Sequence, residues 1–229
     1  MRTILRFTAT ERTLHWSCAV GYLALLASGL PLMFPALRSF IRDYTPVIGV
    51  RLHVACAILW CGATLAVILL GNRRRLAATC RELTALAPGD LAWMLRFPRW
   101  IAAGTAERAR LDGAVARFNA GQKVNALFTV VTSALLLLTG IALIPLERGP
   151  LIAALAGPGG VAPLAWAHRK LTLLVLLPLA THVLLALVFP PTRPSLTGMV
   201  RGSVDRAWAA AHHPRWCPHE RPRSGDEAA

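Results

Sequence analysis

Cysteine is sparse in this chain, and its pattern is sparser still. The five cysteines, Cys18, Cys56, Cys61, Cys80 and Cys217, form no CxxC pair and no zinc-ligand spacing. Three lie in apolar segments, where a free cysteine acts as a small hydrophobe. A disulfide framework, structural zinc and an iron–sulfur cluster are therefore not expected. No CxxCH is present, so covalent attachment of a c-type haem is excluded. Acidic residues are also scarce. Only 11 Asp and Glu stand against 25 Lys and Arg in 229 residues, a formal net charge of +14. Charge of either sign is nearly missing from four long stretches, and no internal repeat is evident.

What remains is apolar. Hydrophobic residues make up 55% of the chain, and mean hydropathy is +0.50. Such a composition fits an integral membrane protein rather than a soluble domain. Four segments reach the ~20 residues needed to cross a bilayer. They are Thr13–Phe34, Leu52–Leu70, Val124–Ile144 and Trp166–Phe189. Leu151–Pro163 is short and broken by Gly157-Pro158-Gly159-Gly160, and reads as a loop. Glu11, Arg12 and His15 crowd the start of the first span, and no small-residue cleavage site follows, so that span is expected to be retained.

Basic residues set the orientation. The N-terminus, the Gly71–Lys123 loop and the tail after Phe189 hold nineteen of the 25 Lys and Arg. Both termini are therefore predicted to be cytoplasmic. A basic total can also mark nucleic-acid binding, but basic loops beside apolar spans are the commoner membrane pattern.

Four histidines lie in or at the ends of these spans: His15, His53, His168 and His182. An ionisable side chain at membrane depth is a functional-site hypothesis by default. His15 opens the first span on the cytoplasmic side. His53 and His168 open the second and fourth on the outer side. His182 follows His168 by fourteen residues, ~21 Å along a helix and only ~40° around it. One helix face thus carries two histidines at two depths. His53 with His168 makes an outer pair, and His15 with His182 an inner pair. Imidazole is the usual axial ligand of haem iron, and bundle interiors are where such cofactors are built. Arg51, Arg169 and Lys170 at the outer end, and Arg6, Arg12 and Lys123 at the inner end, are candidate partners for haem propionates. A lone histidine near a helix end is more often merely interfacial; the paired depths carry this reading.

Three further stretches carry a signature: Leu5 to Trp16 (LRFTATERTLHW), Phe118-Asn119-Ala120-Gly121-Gln122-Lys123, and His212-His213-Pro214-Arg215-Trp216. With Met33-Phe34-Pro35 and Arg51-Leu52-His53, they resemble the cytochrome b (gamma) subunit of membrane-bound respiratory formate dehydrogenases, from about Arg2 to Trp216. The resemblance implies an all-α membrane protein in the bacterial cytoplasmic (inner) membrane, with four transmembrane helices in a bundle enclosing two haems. One di-haem domain would span residues 1–217, with a disordered cytoplasmic tail at 218–229. It implies that His53 and His168 are the axial ligands of the periplasmic-side haem b, and His15 and His182 those of the cytoplasmic-side one. It also implies a quinone site, for menaquinone or ubiquinone, near the second haem. Asn119 and Gly121 would line it, with His182 close by; the structural alternative is a helix start capped by Asn119 and packed at Gly121.

The implied partners are an iron–sulfur (beta) subunit and a molybdenum or tungsten catalytic (alpha) subunit, in a higher oligomer and with no nucleic acid. The chain would be an electron-transfer and quinone-reducing subunit, with formate oxidation elsewhere, since it has no active-site Cys motif and no soluble domain. The cytochrome b subunit of a nickel–iron hydrogenase or another molybdoenzyme is the near alternative; a haem-free anchor or transporter is the distant one. The chain departs from better-known members after the third span, where Ile144-Pro145-Leu146-Glu147 replaces a Trp-Arg-Pro-Tyr stretch, and at Val54, where a Pro is often found. These changes bear on the outer docking surface. His212, His213 and His219 are expected at the surface or at a subunit contact. Leu91–Trp100, with Trp93, Arg96, Arg99 and Trp100, reads as an interfacial segment or a solvated loop.

Overall fold

The four apolar stretches form four long helices in the computed structural model, which describes residues 2–144 and 162–217. The loop expected at Leu151–Pro163, all but its last two residues, the tail at 218–229 and His219 lie outside the described residues. In chain order the elements are β1 (Thr3–Leu5), α1 (Ala9–Met33), α2 (Pro35–Arg38), α3 (Pro46–Leu70), α4 (Arg73–Thr84), α5 (Pro88–Ala102), α6 (Thr105–Leu111), α7 (Ala120–Leu143), α8 (Ala162–Val183), α9 (Arg193–Arg201), β2 (Ser203–Asp205) and α10 (Arg206–His212). A π-helical turn, Leu184–Val188, extends α8.

The helices long and apolar enough to cross a membrane measure 25, 25, 24 and 27 residues. At 1.5 Å per residue each exceeds the ~30 Å hydrocarbon core. Their outer faces are leucine, isoleucine and valine: Leu59 is 72% exposed and Leu177 75%. So much bare aliphatic surface along four helices is the surface of a chain solvated by lipid.

Each span begins four to six residues before its apolar stretch. Polar residues start the helices, because the first backbone N–H groups need acceptors. Thr45 Oγ1 accepts from Ile48 N at 3.2 Å, and Pro46 takes the first helical position. At α7, Asn119 Oδ1 accepts from Gln122 N at 2.8 Å while Gln122 Oε1 accepts from Asn119 N at 3.0 Å. That is a reciprocal capping box. At the end of α3, the Leu69 carbonyl accepts from Arg73 Nε and Nη2 at 3.1 and 2.8 Å, a cation at the negative end of a helix.

The chain divides into two compact units. One comprises Thr10–Arg73 and Val130–Pro178. Inside it Tyr22 hydrogen-bonds Ser133 at 2.7 Å and meets Trp60 edge-on at 5.7 Å. The other comprises Met1–Ala9, Arg74–Thr129 and Leu179–Ala229. Here the all-α expectation needs an amendment. β1 pairs antiparallel with β2, Ile4 opposite Val204. Gly202, at φ 92°, makes the left-handed turn into β2, and its carbonyl accepts from Arg6 N and Phe7 N at 2.8 and 2.9 Å. Three-residue strands carry too little alternation to be read from sequence.

Leu91–Trp100 is part of helix α5. Trp93 and Trp100 are buried with Val115 and Ala120 and do not face lipid; Leu91 and Leu95 are the most exposed large hydrophobic residues of that helix. All five cysteines are free thiols.

Candidate functional site

Two of the four span histidines meet. The rings of His53, on α3, and His168, on α8, have centroids 6.3 Å apart and planes at 88°. A metal bonded at about 2 Å to one nitrogen of each of two imidazoles sets their centroids about 6 Å apart. That separation suits one haem iron, which His53 and His168 would hold from two helices.

The neighbours of both rings are small or hydroxylic. A Cβ on Gly29 would stand 3.0 Å from His53 Cε1, and one on Gly140 3.5 Å from His168 Cε1. Each ring thus lies close to a helix backbone that carries no side chain at that point. Ser28 Oγ stands 3.0 Å from His53 Nδ1, and Thr139 Oγ1 stands 2.8 Å from His168 Nδ1. Tyr44, before α3, donates its hydroxyl proton to the Ser28 carbonyl at 3.1 Å. Ser28, Thr139 and Tyr44 are absent from the sequence expectations. The one signal available was position: Gly29 and Gly140 each directly follow a hydroxylic residue in a span.

His15 belongs to the same compact unit as His53 and His168, and its ring meets Trp16 edge-on at 5.4 Å. His182 belongs to the other unit, in the last turn of α8.

The start of the first signature stretch, Leu5–Ala9, and the other two stretches lie within that other unit. Arg6 and Arg117 hold each other's backbone. Arg6 Nη2 donates to the Arg117 carbonyl at 3.0 Å, and Arg117 Nε and Nη2 donate to the Arg6 carbonyl at 3.1 and 2.7 Å. Arg117 Nη1 reaches Thr79 and Glu82, both at 3.0 Å. The Arg6 guanidinium lies over Phe7, Trp208 and Trp216 at 5.3, 5.3 and 5.9 Å. Aromatic faces and carbonyls compensate two buried like charges. Burial, and then the charge of Arg117, lower the Arg6 pKa to about 9, still above neutral.

His212 and His213 differ from the expectation. They are not surface groups. His212 Nδ1 pairs with Asp112 Oδ2 at 2.8 Å, and Asp112 Oδ1 accepts from Trp93 Nε1 at 3.0 Å. His213 is 3% exposed and Nδ1 donates to the Ala116 carbonyl at 2.7 Å. Its pKa lies well below the ordinary histidine value, chiefly through burial and then through the charge of Arg6. The His-His-Pro-Arg-Trp stretch thus closes the unit from within.

Asn119 caps α7, and a Cβ on Gly121 would stand 3.4 Å from the Trp93 ring. The cap uses the carbonyl oxygen of the Asn119 amide and leaves its NH2 group as a donor. Lys123 Nζ donates to Asp90 Oδ2 and the Ala85 carbonyl, both at 2.8 Å. Arg6 and Lys123, expected near propionates, are therefore engaged inside their own unit. Lys170 Nζ lies 5.6 Å over the Trp166 ring.

Four apolar helices with a histidine pair between two of them define a membrane protein with the frame of a b-type cytochrome. The chain belongs to the prokaryotic cytochrome b561 family, whose sequence model matches residues 6–202. Among curated proteins it is similar to the formate dehydrogenase cytochrome b556(fdo) subunit of Escherichia coli K12. The two are 24% identical over 215 residues, 93% of this chain and 92% of that protein. It is similar too to the nitrate-inducible formate dehydrogenase cytochrome b556(Fdn) subunits of E. coli K12 and Shigella flexneri, 24% identical over 218 residues, 94% of this chain and 90% of each. Membership of a cytochrome b family implies haem b.

Proposed function

We propose that this chain is the membrane cytochrome b subunit of a formate dehydrogenase complex in the bacterial cytoplasmic membrane. It would take electrons from a periplasmic iron–sulfur subunit and deliver them to a quinone near the cytoplasmic face. Formate oxidation would belong to a molybdenum- or tungsten-containing subunit of the same complex. Family membership and end-to-end similarity to the formate dehydrogenase cytochromes support this reading. The observation that carries it is the His53–His168 pair, whose 6.3 Å separation suits one shared iron.

When bound, two b haems supply one-electron carriers between the two faces of the membrane. The chain's residues supply the rest. His53 and His168 hold one iron from two helices, which fixes it rigidly in the bundle. His15 and His182 hold the second, a pairing that rests on helical spacing in the sequence. Asn119 and Gly121 line the quinone site, with His182 close by. The amide NH2 left over from the Asn119 cap donates to a quinone carbonyl, and Gly121 lets the Trp93 ring pack beside that site. The basic N-terminus, Gly71–Lys123 segment and tail place both termini in the cytoplasm. Electron flow inward then carries negative charge against the transmembrane potential, which is negative inside, and so stores energy.

The pyridine-haemochrome spectrum and haem count of the purified complex test the proposal. Two b haems per chain are expected, and one in His53→Ala. Folded wild-type protein without haem, made with adequate haem supply, would overturn it.

A further inference from the structure

Ser28 and Thr139 do the same thing from two different helices. Each hydroxyl reaches a carbonyl one turn back on its own helix. Ser28 Oγ lies 2.8 Å from the Ala24 carbonyl and 3.2 Å from that of Leu25. Thr139 Oγ1 lies 2.7 Å from the Leu135 carbonyl and 3.1 Å from that of Leu136. A hydroxyl has one proton and two lone pairs. Inside a helix its proton goes to such a carbonyl, so the oxygen faces the imidazole as an acceptor. Nδ1 of His53 and of His168 then carries the ring proton and donates it. Nε2 of each ring is left with the lone pair, the form that binds a metal.

The geometry is braced on both sides. Tyr44 holds the Ser28 carbonyl, and Gly29 lets the His53 ring lie against the same helix. Metal-ligating histidines donate their second N–H to a partner that fixes the tautomer and tunes ligand basicity. Carboxylate partners raise that basicity most. Here both partners are neutral.

We propose that Ser28 and Thr139 are positioning residues for the iron shared by His53 and His168. They select the Nδ1–H tautomer of both ligands, hold the ring planes perpendicular and set the midpoint potential of that haem through two neutral acceptors. The proposal rests on the ligand assignment above, and its test separates the two.

The test uses the purified complex carrying Ser28→Ala, Ser28→Thr, Thr139→Val or Thr139→Ser, with His53→Ala as the marker for this haem. The readouts are haem count, potentiometric titration of the b-haem absorbance, and low-spin ferric electron paramagnetic resonance. Without its acceptor an imidazole is a poorer electron donor, and the ferric state loses the more. Ser28→Ala and Thr139→Val should therefore raise the midpoint potential of the haem missing in His53→Ala and leave the other in place. They should also move its ferric signal, which reports ring-plane orientation. Ser28→Thr and Thr139→Ser should restore both. Haem binding weakened on the order of 10-fold in the Ala or Val variant, and restored by the hydroxyl variant, also supports the proposal. Unchanged potentials and signals in both Ser28→Ala and Thr139→Val would overturn it. So would equal change or equal haem loss in Ala and Thr variants of Ser28, since side-chain volume would then be the cause. Two haems retained in His53→Ala would sink the ligand assignment itself, and this proposal with it.

Discussion

At the His53–His168 pair, two rings from two helices are met by two hydroxyls and two glycines. Around Arg6 and Arg117, guanidinium groups, carbonyls, a carboxylate and four aromatic rings close on one another. Both places bury polar side chains in a mostly apolar protein, yet they are built on different plans. The arginine cluster turns its donors inward onto carbonyls, hydroxyls and a carboxylate, with Arg6 Nε left without a hydrogen-bond partner. The histidine pair engages one nitrogen of each ring and keeps small residues beside it, as a ligand pair must. What separates a scaffold from a site is therefore the use made of each donor and acceptor, rather than burial or polarity alone.

The arginine cluster offers the sharpest way to break that contrast. Arg117→Ala removes two bonds to the Arg6 carbonyl and leaves Arg6 buried, at a cost of about 3 kcal/mol. Little of this comes from the pair with Glu82, whose side chain is 40% exposed. Thermal unfolding of the purified complex should show a clear loss of stability. Unchanged stability would mean that the cluster is not a structural node.

Gly29→Ala acts on the histidine pair instead. Its new methyl would meet His53 Cε1 at 3.0 Å, so the ring must shift. Haem binding should weaken on the order of 10-fold, read as a lower haem count with the fold intact by circular dichroism. Full haem content in that variant would show that the ring has room to move.

His213 predicts a pH effect. Its folded pKa lies below the unfolded value of about 6.5. Between those two values the unfolded chain binds more protons, so stability rises with pH through that window and is lost as pH falls from about 6.5 toward the folded pKa. His213→Asn should flatten the dependence of melting temperature on pH between about 7 and 5. A slope identical to wild type would assign the effect to another group.

Asn119→Ala carries the smallest effect on stability, about 1 kcal/mol for a lost cap. Both haems should remain while quinone reduction slows. Loss of a haem with normal quinone kinetics would refute the quinone role and leave the cap as the residue's whole function.

Much of the fold was legible because its signals are local. Four apolar stretches of sufficient length required four spans. The spacing of His168 and His182 followed from helical periodicity. The spans' starting points were less legible, since caps at Thr45 and Asn119 lie outside the apolar pattern. Leu91–Trp100 reads as an interfacial segment or a solvated loop, because composition cannot tell either from a small buried core. The signature stretches stood out as motifs, but their meaning changed. Arg6 reads as a propionate partner and His212 and His213 as surface groups in a line of text; Arg6 instead binds Arg117, His212 pairs with Asp112 and His213 bonds the Ala116 carbonyl.

The sequence by itself determined the lipid-facing class of the protein, the number of its spans and the positions of its histidines along them, because those depend on hydrophobicity and rise per residue along one helix. Only the tertiary structure decided that His53 faces His168 with its plane turned perpendicular, that Ser28 and Thr139 stand behind the two rings, and that residues 6, 117 and 213 share one cluster. Those facts depend on which helix faces pack together and on bonds between residues 25, 29 and 111 positions apart, and no local pattern encodes them.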